Sequence, residues 1–194
     1  MPRFRGLIAA AVLLGAACAQ EPPARQETKP DAPAPASLAP LPATYINDPD
    51  CPGCLAVTVT LRPDGSFLMR DRLGASEFYD FGRWRYGEGT LELAGDRDTR
   101  RYRLAELRKS PRPESLRGPF RLVGLYDGRS FRECRTGLAW TLAQTRAAEA
   151  LKGELVKAQG SAVLVALDAQ FEGRPEVLRV LRPAAVLDAR TCPG

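Results

Sequence analysis

Histidine is absent from all 194 residues, and methionine occurs only at the initiator and at Met69. The first absence removes Ser-His-Asp nucleophilic catalysis and every imidazole-based metal site. The second leaves one internal thioether for a soft ion such as Cu(I). Acidic residues do not fill the gap, because Asp168, Glu172 and Asp188 stand at no spacing recognisable as paired-carboxylate chemistry and read as solvated surface. Nucleic acid is not an expected partner: aromatic and basic residues do not interleave, and the net charge of +5 is spread along the chain. The N-terminal apolar run, Leu7 to Leu14, is too short to span a bilayer permanently. Together these absences predict a protein that is not an enzyme.

What stands at the N-terminus has the three parts of a secretory signal over residues 1–19: Arg3 and Arg5, the apolar run, then small residues. Its end, "LLGAACAQ", supports two processing readings. Cys18 is a candidate lipidation site, although Gly15 occupies the place where a lipobox usually has leucine; alternatively, Ala17-Cys18-Ala19 serves ordinary signal cleavage. Cysteine arithmetic favours lipidation. An exported chain meets an oxidising compartment, where Cys51, Cys54, Cys134 and Cys192 make an even set for two bridges and a thioether at Cys18 accounts for the fifth. The residues alone lead to an exported chain, expected to be a lipoprotein anchored through Cys18, with a soluble periplasmic protein as the alternative. Residues 20–42 carry seven prolines and little large apolar side chain, which predicts a semi-extended tether.

The fold class expected is mainly β: a small antiparallel barrel over residues 43–108, then strands with one mid-domain helix over residues 109–194 that suit an oligonucleotide/oligosaccharide-binding (OB) type barrel. In the first part, Leu55, Val57, Val59 and Leu61 alternate with small or polar residues, and Pro63-Asp64-Gly65 turns the chain towards Phe67 and Met69. Tyr79, Phe81, Trp84 and Tyr86 flank Gly82, which reads as a bulge or bend, and about six strands are expected. The segment "RKSPRPESLRG" reads as a linker. Beyond it, Phe120 to Tyr126, Ala162 to Leu167 and Val177 to Leu187 are strand candidates. Between them lies a helix capped by Thr145, with Ala147, Leu151 and Leu155 on one face and Gly160 at its end.

The most specific local feature is "DCPGCLAVTVTL", with Cys51 and Cys54 ahead of an alternating strand. In disulfide oxidoreductases such a pair opens a helix whose amides lower the thiol pKa; a strand follows here, so thiol-disulfide exchange is only an alternative function. A closed zinc site lacks its four ligands, whereas two reduced thiolates would take Cu(I) linearly. The remaining reading is a disulfide, worth about 2 kcal/mol for so short a loop against about 4 kcal/mol for a loop the size of Cys134 to Cys192. The short pair is therefore the better redox-sensing element. Phe67, Tyr79, Phe81 and Trp84 would line a cavity if the barrel carried a small apolar ligand, the other alternative, although a barrel this small is commonly filled by its own side chains. Arg97, Arg100, Arg101, Arg103 and Arg108 form the strongest basic cluster, expected on a solvent-facing strand edge.

Cys51-x-x-Cys54 before a strand, Asp64-Gly65-x-Phe67 in the first turn, and Gly82-x-Trp84 followed by Gly89-x-Leu91 resemble the N-terminal domain of the NlpE family, copper-resistance and envelope-stress lipoproteins of Gram-negative bacteria. "FRECRTGLAWTLA" and the terminal "DARTCPG" are similar to the C-terminal domain of related lipoproteins, so the resemblance covers most of residues 43–194. It implies a short lipocalin-like barrel followed by an OB-type barrel, attachment as an outer-membrane lipoprotein facing the periplasm, and a role in copper tolerance, surface adhesion and activation of the Cpx two-component response. The implied partner is the periplasmic domain of a sensor kinase. It also implies copper as the one ligand to consider, at Cys51 and Cys54 if these are reduced, with no resident cofactor otherwise.

Overall fold

A computed structural model describes residues 37–51, 53–188 and 191–193. Cys18, the leader and most of the expected tether lie outside the described residues. The described chain is mainly β, with one α-helix.

Seven antiparallel strands form the first sheet: β1 (Ala43–Asn47), β2 (Ala56–Leu61), β3 (Ser66–Leu73), β4 (Ser76–Gly87), β5 (Thr90–Ala94), β6 (Thr99–Arg103) and β7 (Arg108–Lys109). Their order is β6-β5-β4-β3-β2-β1-β7, a meander whose last strand returns beside its first. Chain length forces this sheet to curl. Its edges β6 and β7 are joined only through Leu104–Glu106, a single 3-10 turn, and Leu107. Five residue steps reach about 18 Å, whereas a flat seven-stranded sheet would hold its edges about 29 Å apart. The concave face gathers Val57, Val59 and Leu61 from β2, Phe67 and Met69 from β3, and Leu91 and Leu93 from β5. Leu38, Ala39 and Leu41, from the end of the expected tether, pack against this core, and the Ala39 amide donates to the Tyr45 hydroxyl at 2.9 Å.

Gly82 differs from its expected role. The register through β4 is unbroken, from Leu73↔Ser76 to Ser66↔Arg83 on one side and from Arg83↔Ala94 to Gly87↔Thr90 on the other. No bulge forms. The glycine is required by close approach, since a Cβ there would lie 2.0 Å from the Ala94 carbonyl oxygen.

The Pro- and Arg-rich linker is likewise laid down on the sheet rather than free. Ser110 N donates to the Thr44 carbonyl, Glu114 N to Thr44 Oγ1, and Thr60 Oγ1 to the Glu114 carbonyl, at 2.8, 2.8 and 3.0 Å. Thr44 and Thr60, cross-strand neighbours on β1 and β2, give the prolines' neighbours partners that a regular strand would have supplied from its backbone.

The second sheet comprises β8 (Phe120–Tyr126), β9 (Phe131–Glu133), β10 (Ala139–Trp140), β11 (Val163–Glu172), β12 (Val177–Val180) and β13 (Ala185–Val186). The three-strand meander β8-β9-β10 leads into a helix, β11 returns antiparallel beside β8, and β12 pairs with β11. A parallel bridge between Leu142 and Leu178 brings the end of β10 onto β12 and closes the circuit. That connectivity is the OB-type barrel expected. Strands β9 and β10 are too short to show periodicity and were legible only from the fold. In the helix α1 (Arg146–Lys157), Thr145 Oγ1 accepts from Ala148 N at 3.1 Å, and Gly160, at φ +77°, donates to the Leu155 carbonyl at 2.9 Å. Its inward face is Ala148, Leu151 and Leu155, with Ala147 on the margin.

The two sheets share a core. Leu68 and Phe81, on the convex face of β3 and β4, belong to the second barrel's hydrophobic cluster. Phe81 packs against Trp140 and Phe171 with ring centroids 5.8 and 5.6 Å apart, and Tyr79 meets Phe120 edge-on at 5.6 Å. Truncating Phe81 to alanine is expected to cost about 3–5 kcal/mol, to perturb the near-ultraviolet signal of Trp140, and to leave one unfolding transition. Two separated transitions in the wild-type protein would contradict a shared core.

Candidate functional site

Register locates the cysteine pair. Ala43 faces Leu61 at one end of the β1–β2 ladder and Asn47 faces Val57 at the other, so the loop carrying Cys51 and Cys54 lies at the end opposite Leu38–Leu41. The two sulfurs are bonded, with Cα atoms 5.6 Å apart; Cys54 N donates to the Cys51 carbonyl at 3.2 Å, and both cysteines are exposed. Leu55 follows at once and then β2, so no helix N-terminus activates either sulfur.

An apolar rim adjoins this bridge. Leu55, Leu73 and Phe78 are 41, 47 and 42% exposed. The registers Ala56↔Arg72 and Asp71↔Phe78, with side chains alternating at period two, place all three on the concave side of the sheet's open end. The Arg97 guanidinium sits 5.3 Å from the Phe78 ring centroid.

Just inside the rim lie two buried carboxylates. Asp71 binds Arg100 at 2.8 Å, and Arg100 also reaches Asp98 at 3.1 Å. Burial works against the Arg100 charge, but hydrogen bonds with Tyr102 and Asp71 outweigh it and hold its pKa above the usual guanidinium value. Asp80 is 5% exposed; its Oδ1 accepts from Phe81 N and Asp96 N, each at 2.8 Å, while its buried Oδ2 has no hydrogen-bond partner. Burial pushes the Asp80 pKa above the ordinary carboxyl value despite those two amides. The β5–β6 loop is held against it closely enough that a Cβ on Gly95 would lie 2.1 Å from Oδ2.

The expected basic cluster is accordingly dispersed. Arg100 turns inward, Arg97 stacks on Phe78, Arg101 pairs with Glu92 at 2.8 Å, Arg103 with Glu106 at 3.7 Å, and Arg108 lies on the opposite edge. Alternation explains the split, since successive residues of β6 cannot share a face. The four aromatic cavity candidates also separate. Phe67 and Trp84 face the concave core, while Tyr79 and Phe81 face the second barrel. Asp168 and Glu172 pair with Arg182 and Arg179, at 3.5 and 3.2 Å, and do not converge with Asp188 on a site. Among the described residues, no group of three or more His, Cys, Asp or Glu side chains is arranged to hold a metal ion.

Cys134 and Cys192 form the second bridge, with Cα atoms 5.3 Å apart across 58 residues of sequence. Cys134 N donates to the Val123 carbonyl at 2.8 Å, so the bond fastens the C-terminal segment to the β8–β9 ladder. Between the sheets, Arg62 donates twice to the Glu176 carboxylate, once at 2.9 Å, and Trp140 Nε1 donates to Glu176 Oε2 at 3.1 Å. Arg83 donates to the Arg135 carbonyl at 3.1 Å and to that of Thr136. Neither Arg62, Glu176 nor Asp80 belongs to a sequence motif; their roles exist only once distant strands are adjacent.

Neither a protein-family model nor a curated relative matches the sequence. The crystal structure of the Cpx pathway activator NlpE from Escherichia coli is 19% identical, with 79% of this chain and 100% of that chain covered, at a TM-score of 0.37. At that overlap the neighbour is a likeness only, and function rests on this chain's own residues.

Asp80 makes stability depend on pH. A carboxyl whose folded pKa is raised contributes stability that is complete below the unfolded value and is lost as pH rises through the folded one. Asp80→Asn keeps an acceptor for both amides and removes the buried charge. It is expected to melt at or above the wild-type temperature near pH 7, with the difference shrinking towards about pH 4. Asp80→Ala, which loses both acceptors, should melt lower throughout. Thermal melts across that range check both, and an Asn variant weaker than wild type near neutrality would contradict the burial argument.

Proposed function

We propose that this chain is an NlpE-like envelope lipoprotein that binds and signals rather than catalyses, with the Cys51–Cys54 loop as its redox- or copper-responsive element. In this reading Cys18 carries the lipid, residues 20–36 hold the folded part away from the outer membrane, and the partner is the periplasmic domain of a sensor kinase. The observation that carries the proposal is the contrast between the two bridges. One closes a four-residue loop on an exposed, apolar rim; the other spans 58 residues and fastens the C-terminal segment to the second barrel. Opening the first changes a local surface at little expense to the fold, whereas opening the second removes about 4 kcal/mol of chain-entropy stabilisation. A surface that changes while the body stays folded is what a sensor requires. Copper enters as a soft ion that the reduced Cys51 and Cys54 thiolates would bind linearly.

Paired substitutions separate these roles. Cys51→Ser with Cys54→Ser should lower stability by no more than about 2 kcal/mol, and Cys134→Ser with Cys192→Ser by about 4 kcal/mol. In cells carrying a Cpx-response reporter, the first pair should abolish the chain's response to a thiol reductant or copper. An unchanged response in that variant would sink the assignment of the loop. Peptide mapping of the envelope-purified chain without reductant, with copper quantified alongside, is expected to find acyl-modified Cys18 and either a bridged, copper-free pair or a reduced pair carrying copper.

A further inference from the structure

Two arginines reach a cavity at the seam of the barrels without meeting a carboxylate. The cavity, of about 470 Å³, opens between the β2–β3 turn, the connector over β1–β2 and the β11–β12 turn, which supply Arg62, Arg117 and Arg174 respectively. Phe171, Glu172 and Glu176 help to wall it. Both carboxylates are already engaged, Glu176 by Arg62 and the Trp140 indole, and Glu172 by Arg179 at 3.2 Å. Arg62 is locked in place, with its side chain 16% exposed and its guanidinium 4.8 Å from the Phe171 ring centroid. Arg117 and Arg174, by contrast, make no hydrogen bond, ion pair or ring contact with any described residue.

We infer that this seam cavity is an anion site for a phosphomonoester carried on a small polar body. Two free guanidiniums beside a wall of satisfied ion pairs match a dianion in charge, and each presents the planar fork that takes two oxygens of one phosphate. A single carboxylate would leave one guanidinium uncompensated. The volume lies within the range of about 300–1,000 Å³ usual for small-ligand sites. Phe171 and Leu116, its apolar wall residues, are themselves buried, so little apolar surface is offered to a ligand. Ser115 adds a hydroxyl at the same wall. Because the arginines come from the connector and from the second barrel, one bound phosphate ties the two together. The inference goes beyond the signalling role above and does not depend on it.

Isothermal titration of the folded full-length chain with glycerol 3-phosphate tests the site. The expected result is one saturable site per chain, displaced by inorganic phosphate and weakened about tenfold or more by Arg117→Gln or Arg174→Gln. Both residues are exposed, so the variants should melt with the wild type. Arg112→Gln, on the same connector but outside the cavity, should bind normally. Dihexanoyl phosphatidic acid below its micelle concentration distinguishes the source: binding no tighter than glycerol 3-phosphate supports a small polar phosphomonoester, whereas markedly tighter binding, which needs an apolar contact this cavity does not offer, would overturn that assignment in favour of a lipid headgroup. No saturable heat, equal affinity for sulfate, insensitivity to both cavity substitutions, or an equal loss with Arg112→Gln would overturn it.

Discussion

Phe67, Leu68 and Met69 are consecutive on β3, and all three are buried. In a strand, consecutive side chains point to opposite faces, so this run demands cover on both sides of the sheet. The concave side is covered by the sheet's own curl. The convex side is covered only by another body, and Leu68 with Phe81 therefore brings the second barrel against the first. An antiparallel sheet of a small barrel ordinarily leaves one face to water; here the β3–β4 hairpin does not, and the two barrels have one aromatic seam between them.

Direction at that seam comes from polar contacts. Aromatic packing is tolerant of rotation, whereas the paired Arg62–Glu176 bonds, the Trp140 indole and the Arg83 bonds to two carbonyls permit one register. Their net energy is modest because ion pairs lose hydration on burial. Their value lies in orientation: Glu176 joins Arg62 of the first barrel to Trp140 of the second, and a slipped seam would strand these groups without partners.

The first barrel has two unlike ends as a result. One is stopped by Leu38–Leu41, where the chain enters, and the opposite end presents the bridged loop, the three exposed apolar side chains and Arg97. The Cys51–Cys54 bridge therefore lies at the end of the first barrel opposite the Leu38–Leu41 segment. The long bridge is placed in the other barrel, where it holds a C-terminal segment that has few strands of its own.

Local patterning determined much of this in advance. Alternation from Val57 to Leu61, the Pro63-Asp64-Gly65 turn, the Thr145 cap and the Gly160 stop were all legible, because each rests on side-chain direction or backbone freedom within a few residues. Cysteine parity likewise predicted two bridges. What the sequence could not disclose depended on which face of each strand would meet which neighbour. Gly82 resembled a bulge until the Ala94 carbonyl stood against it; Arg100 belonged to a basic run until alternation turned it onto Asp71; and the aromatic group divided between two cores. The short strands β9 and β10, the committed Arg62–Glu176 pair and the unpartnered Arg117 and Arg174 were decided by tertiary structure alone, since burial and charge pairing are properties of juxtaposed segments that no local pattern encodes.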